Sequence, residues 1–123
     1  LNLCNRILGF VNAPAFMQRI VAQLNEVSVA VDVYKNRRDL FMNGLRDAGY
    51  TFAAPEGAFY FFCKSPVDDD VSFVRHLQKY NILTVPGVGF GGPGYFRIAY
   101  CVSEDIIKRS IPKFAEALKT FKG

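Results

Sequence analysis

Ile82-Leu83-Thr84-Val85-Pro86-Gly87-Val88-Gly89-Phe90-Gly91-Gly92-Pro93-Gly94-Tyr95-Phe96-Arg97-Ile98-Ala99-Tyr100-Cys101 sets the architecture of this chain. Ile82 to Val85 is a short apolar run that reads as a strand stopped by Pro86-Gly87. A glycine-rich loop follows, and then a second apolar strand. Gly87-Val88-Gly89-Phe90-Gly91-Gly92 matches G-x-G-x-x-G. The dinucleotide-binding use of that motif needs a helix N-terminus directly after it, because the helix end holds the pyrophosphate. Here Pro93 and a strand follow instead. The loop is therefore expected to be tight and close-packed, with glycine supplying positive φ, and able to approach a ligand closely. The two strands it joins are expected to be neighbours in one small sheet.

The second strand carries one arginine in its middle. Side chains alternate faces along a strand, so Phe96, Ile98 and Tyr100 share one face, and Arg97, Ala99 and Cys101 share the other. On that second face Arg97 is expected to have only small neighbours at its flanks. A guanidinium is costly to bury without a partner. Its planar fork of donors matches a carboxylate or a phosphate. Arg97 therefore either closes a structural ion pair or receives an anionic ligand.

Working outward, Ala13 to about Leu24 reads as a helix with Pro14 in its first turn and Phe16, Ile20, Val21 and Leu24 on one stripe. Residues 25 to 31 fit a loop, followed by a helix capped by Asp32 that runs to Ala48 and stops at Gly49. Ala58 to Cys63 is an aromatic strand entered through Pro55-Glu56-Gly57, and its face pattern reads as two-sided and buried. Asp68-Asp69-Asp70 places carboxylates at the start of the next helix, where the helix dipole favours them. That helix carries Val71, Val74 and Leu77 and ends near Asn81. Ser103 caps a last helix with Ile107, Ile111, Phe114, Leu118 and Phe121 on one stripe, and Pro112 is expected to bend it. The order helix, helix, strand, helix, strand, strand, helix predicts an α/β (α+β) two-layer sandwich. Its small three-stranded sheet is mostly antiparallel or mixed, packed by about four helices.

The 123 residues suffice for a single domain over 1–123 with a modest core. Hydrophobic residues make up 50% and charged residues 21%, which excludes a disordered chain. No apolar run reaches the length of a membrane span, so no membrane partner is expected. Cys4, Cys63 and Cys101 are odd in number and far apart, which fits reduced thiols of a cytoplasmic protein better than a disulfide framework or a metal site. The net charge of +4 mildly favours anionic partners, but the basic residues are scattered and interleaved with acids, as on a solvated surface. Leu1 to Val11 opens without a capping or strand signal and reads as a segment continuing from a missing larger domain.

Three further motifs carry little. Ser110-Ile111-Pro112-Lys113 matches S-x-x-K, but the partner motifs S-D-N and K-T-G of penicillin-binding enzymes are absent. His76 is the single histidine, and no second ligand in a recognisable spacing supports a metal. Gly57-Ala58-Phe59-Tyr60-Phe61-Phe62 faintly matches the aromatic strand of an RNA-recognition module. Glu56 and Ala58 stand where that motif wants a basic residue and an aromatic one, so no nucleic-acid partner is expected.

Four blocks in order carry a resemblance. They are Asn12-Ala13-Pro14-Ala15-Phe16-Met17-Gln18-Arg19, Pro55-Glu56-Gly57-Ala58-Phe59-Tyr60-Phe61-Phe62 after the Tyr34-Lys35-Asn36-Arg37-Arg38-Asp39 helix, Val85-Pro86-Gly87, and Tyr95-Phe96-Arg97-Ile98-Ala99-Tyr100. Together they resemble the C-terminal part of class I/II pyridoxal-phosphate-dependent aminotransferases of the aspartate aminotransferase type (fold type I). The resemblance covers essentially the whole chain. It implies a small domain beside a larger cofactor domain, in a parent enzyme that is a homodimer acting on amino acids and 2-oxo acids. It puts on Arg97 the role of binding the substrate α-carboxylate. It makes Pro86, Gly87, Gly89 and Phe90 a loop lining the cleft.

The Schiff-base lysine and the acidic partner of the cofactor's ring nitrogen belong, by the same resemblance, to the large domain. None of the seven lysines of this chain sits in a matching context. No catalytic residue and no metal ligand is therefore expected in these 123 residues, no pyridoxal phosphate bound to this chain alone, and no activity of the chain in isolation. A stand-alone module that binds a small carboxylate, or a nucleic-acid-binding domain, is the alternative.

Overall fold

The computed structural model describes residues 13–24 and 28–121. Its elements are α1 (Ala15–Val21), α2 (Val31–Asp47), β1 (Tyr60–Lys64), α3 (Asp70–Gln78), β2 (Val85–Pro86), a 3₁₀ turn (Gly87–Phe90), β3 (Tyr95–Ala99) and α4 (Glu104–Thr120). The expected opening segment 1–11 lies outside the described residues, as do Cys4, Val27 and Lys122.

The sheet has the order β1-β3-β2 and is antiparallel throughout. This is the expected α/β fold of helices on a small three-stranded sheet, with the two strands around the glycine loop side by side. Phe62 faces Arg97 across one strand boundary and Val85 faces it across the other. One face of the sheet presents Phe61, Cys63, Phe96 and Ile98, all buried. Phe41 and Leu45 of α2, Phe73, Val74 and Leu77 of α3, and Ile107, Phe114 and Ala117 of α4 complete the same core. The aromatics meet edge to face, as ring quadrupoles favour: Tyr50 and Phe114 are 5.7 Å apart at 88°, and Phe73 and Phe121 are 5.1 Å apart at 83°. The other sheet face carries Tyr60, Phe62, Lys64, Tyr95, Arg97 and Ala99, each exposed or half-buried. The aromatic strand is thus one-sided rather than buried on both faces.

Local signals explain most boundaries. Helix α2 stops as predicted at Gly49, whose φ of +96° is open to glycine. The Gly49 and Tyr50 amides return to the Arg46 and Leu45 carbonyls, a Schellman closure. That closure turns Tyr50 into the core, where its hydroxyl donates to the Phe114 carbonyl at 3.0 Å. Helix α3 closes with the same pair of bonds, from the Asn81 amide to Gln78 and from the Ile82 amide to Leu77, with Asn81 in the left-handed region. Ile82 is spent on that closure and is buried, and Leu83 is exposed. The strand expected over Ile82–Val85 is for this reason only Val85–Pro86.

Other boundaries move as well. The aromatic strand begins at Tyr60 rather than Ala58, because Ala58 has a φ of +56°, which no strand residue adopts. Helix α2 begins at Val31, so Asp32 lies inside the first turn and makes no side-chain cap. Helix α1 is shorter than Ala13–Leu24, and none of its residues is buried. Helix α4 is capped by Ser103, whose hydroxyl accepts from the Ile106 amide at 3.4 Å, and it runs without interruption through Pro112.

Burial pushes the Cys63 thiol up to about 12, and pushes the Tyr50 hydroxyl well above its ordinary 10.0. The unfolded chain releases these protons near their ordinary values of 9.0 and 10.0, whereas the folded chain retains them to higher pH. Stability is therefore full below the unfolded values and falls as pH rises through that window. The urea midpoint of the chain is expected to be lower at about pH 10.5 than at about pH 8. Equal midpoints would refute this account.

Candidate functional site

The open sheet face is where the sequence-predicted residues meet. Arg97 sits at the centre of β3, half-buried, with its side chain on that face. Its guanidinium carbon lies 4.3 Å from the centre of the Tyr60 ring and 4.2 Å from the centre of the Phe90 ring. Small neighbours were the expectation from β3 alone. The actual flank comes from the adjoining strand and from the loop, because sheet register places Tyr60 diagonally across from Arg97. Contacts of this kind between a cation and two aromatic rings restrict the plane of the fork.

Of the two roles open to Arg97, the ion pair is not made within the described residues. There the ion pairs join Arg38 to Asp39, Lys108 to Glu104 and Arg109 to Asp105. No described carboxylate is within ion-pair distance of Arg97, and its guanidinium makes no side-chain hydrogen bond to them. Among the described residues the fork on this sheet face has no acidic partner.

The glycine loop closes the site on one side. Pro86 pairs with Phe96 at the loop base. Gly87 is buried there, and a Cβ on it would meet the Gly92 carbonyl and come within 2.6 Å of the Tyr95 carbonyl and 2.9 Å of the Phe62 ring. Gly92 is equally constrained, with the Phe62 ring 2.7 Å from where its Cβ would stand. These two glycines let the loop fold onto Phe62, and the Gly92 amide donates to the Gly87 carbonyl at 3.0 Å. Gly91 and Gly94 supply the positive φ expected of the loop. Gly89 and Phe90 form its exposed tip, and Phe90 reaches back to Arg97.

Three contributors escaped the sequence reading. Tyr60 and Phe62 share the Arg97 face only through the β1–β3 register, which a single strand does not reveal. Asp70 was read with Asp68 and Asp69 as a helix-start carboxylate. Asp69 does cap α3, accepting from the Ser72 amide at 3.1 Å. Asp70 is instead buried, and its Oδ2 accepts from the Val88 amide of the loop at 2.8 Å.

The remaining motifs stay structural. His76 is half-buried on α3 with Nε2 3.1 Å from the Ala117 carbonyl. Ser110 donates to the Ile107 carbonyl of its own helix. Among the described residues no three His, Cys, Asp or Glu are grouped to hold a metal ion, and no helix is long and apolar enough to cross a membrane. A cavity of about 430 Å³ lies elsewhere, against Tyr34, Arg38, Phe59 and Tyr100, and Arg97 does not line it.

Comparison with known proteins points in one direction. Residues 5–114 match the family described as Aminotransferase class I and II. The chain is 39% identical to an LL-diaminopimelate aminotransferase of Natranaerobius thermophilus, over 68% of this chain and 22% of that protein. It is 34% identical to an aspartate/prephenate aminotransferase of Thermus thermophilus, over 75% of this chain and 24% of that protein. An amino transferase structure from Eubacterium rectale superposes with a TM-score of 0.82 and 37% identity, over 97% of this chain and 30% of that one. The aspartate aminotransferase of Thermus thermophilus with maleate superposes with a TM-score of 0.68 and 31% identity, over 70% of this chain and 23% of that one. The chain thus spans about a quarter of the length of the curated relatives it matches.

Proposed function

The chain belongs to the class I and II aminotransferase family, and from that premise we propose that it is the C-terminal small domain of a pyridoxal-phosphate-dependent aminotransferase whose Arg97 binds the substrate α-carboxylate. The observation that carries this reading is a half-buried guanidinium on an open sheet face, fixed by two rings and without an acidic partner among the described residues. The maleate held by a related aspartate aminotransferase is a carboxylate of the kind such a fork accepts.

In this reading the amino acid and the 2-oxo acid present the same carboxylate to Arg97 in turn. Two parallel N–H donors fix both the position and the plane of that carboxylate. The adjoining Cα is then presented in one orientation, so that its proton faces the base, and the contribution of Arg97 is positional. Pro86, Gly87, Gly89 and Phe90 edge the cleft and serve its shape and closure. The parent enzyme is a cytoplasmic homodimer.

Among the described residues the lysines do not form a cofactor cradle with Arg97. Lys35, Lys64, Lys79, Lys108, Lys113 and Lys119 are all exposed, and none adjoins Arg97 along its own strand. No chemical step is therefore assigned to them. The isolated chain is expected to show no transamination when supplied with pyridoxal phosphate, an amino acid and a 2-oxo acid. Turnover by the chain alone, surviving removal of host enzymes, would overturn that expectation. The proposal as a whole is tested by Arg97→Ala and Arg97→Lys in the enzyme that carries this chain, measured as kcat/KM and as inhibition by maleate.

A further inference from the structure

Asp70 is the first residue of α3 and is only 3% exposed. A buried carboxylate demands compensation. The cap of its own helix is made by Asp69, not by Asp70. No described Lys or Arg pairs with it. Its described side-chain hydrogen bond goes to another element, the Val88 amide in the 3₁₀ turn Gly87–Phe90. An amide at the start of a helical turn has no partner within that turn and is free to be held from outside. Among the described residues this is the one side-chain hydrogen bond made to residues 87–92. Two residues after Val88 comes Phe90, whose ring lies on the Arg97 guanidinium.

We infer that Asp70 is a positioning residue for Arg97, acting through Val88 and Phe90. The inference rests on the carboxylate-binding reading of Arg97. The contacts form a short mechanical series. Helix α3 is anchored in the core by Phe73, Val74 and Leu77. Asp70 ties the glycine turn to that helix, the tie sets where Phe90 stands, and Phe90 limits the tilt of the fork. The turn closes on itself through the Gly92 amide and the Gly87 carbonyl, and the Asp70 bond is the side-chain tie that joins it to α3. Asp70 touches neither the guanidinium nor a substrate in this scheme.

The test uses the enzyme that carries this chain and reads competitive inhibition by maleate and by 3-phenylpropionate, two carboxylates without an amino group. Asp70→Ala is expected to raise both inhibition constants about three- to tenfold, the share that an aromatic contact lends a cation site, with kcat changed less. Asp70→Asn keeps an oxygen acceptor for Val88 and is expected to stay close to wild type. Phe90→Ala, at a half-exposed position, is expected to match Asp70→Ala. The double variant is expected to equal Phe90→Ala alone, because both act through one ring.

Unchanged constants in Asp70→Ala, or effects of the two changes that multiply, would overturn the inference. Asp70→Glu displaces the acceptor by one methylene and gives the same reading should Asp70→Ala not fold: raised constants support the tie, and wild-type constants overturn it. Arg97→Ala separates the two levels. If it weakens inhibition while Asp70→Ala does not, only the tie fails. If Arg97→Ala leaves inhibition unchanged, the carboxylate reading fails and this inference with it.

Discussion

Arg97→Ala in the enzyme that carries this chain is expected to lower kcat/KM for the amino-acid substrate by about 30- to 900-fold. The figure is the loss of a charge-assisted bidentate pair, about 2–4 kcal/mol, converted at about 1.36 kcal/mol per tenfold. The loss is expected in KM and in kcat together. In the proposed role, KM rises because the carboxylate loses its partner. The fall in kcat follows from orientation, since a substrate held elsewhere no longer presents its Cα in one pose. Arg97→Lys separates these. It keeps the charge and loses the planar fork, so KM is expected to recover further than kcat. Maleate inhibition follows KM, as it reports carboxylate binding with no reaction. A variant with alanine at this position and wild-type kcat/KM would remove Arg97 from the substrate site.

Legibility in the sequence divided along physical lines. Features fixed by neighbours in the chain could be read: the stop of α2 at Gly49, the Ser103 cap, the side-by-side placement of the strands about the glycine loop and the face carrying Arg97. Each of these depends on a few consecutive residues and on a period of two or 3.6. Features fixed across space could not. Asn81 closes α3 in the left-handed region and draws Ile82 into the core, where a run of apolar residues had suggested a strand. Ala58 takes the same backbone region at the entry to β1, although nothing about alanine favours it. The rings on Arg97 come from β1 and from the loop tip, and only the register brings them there. Asp70 is the extreme case. Three consecutive aspartates look alike in sequence, yet one caps a helix and another is buried against a different element.

The alternation of β3 turns into opposite phenotypes at adjacent positions. Phe96 is fully buried on the helix side, with ring centres 5.3 Å from Phe73 and 5.9 Å from Tyr50. Phe96→Ala is expected to destabilise the chain by about 3–5 kcal/mol, from lost transfer energy and from a cavity that rigid neighbours cannot close. Those neighbours are held from several directions at once. Tyr50 is tied by its hydroxyl to the Phe114 carbonyl, and Phe73 by contacts with Phe121. Relaxation into the vacated space would break these, so the upper part of the range applies. Such a loss is a large fraction of the stability of a domain this size. Arg97, one residue further and on the other face, is expected to change stability by no more than about 1 kcal/mol on conversion to alanine, because the contacts it loses are to one half-buried ring and one exposed ring. Urea unfolding of the two variants followed by far-ultraviolet circular dichroism checks the contrast. A Phe96→Ala midpoint equal to that of Arg97→Ala would mean that the two faces of β3 are not divided between folding and binding.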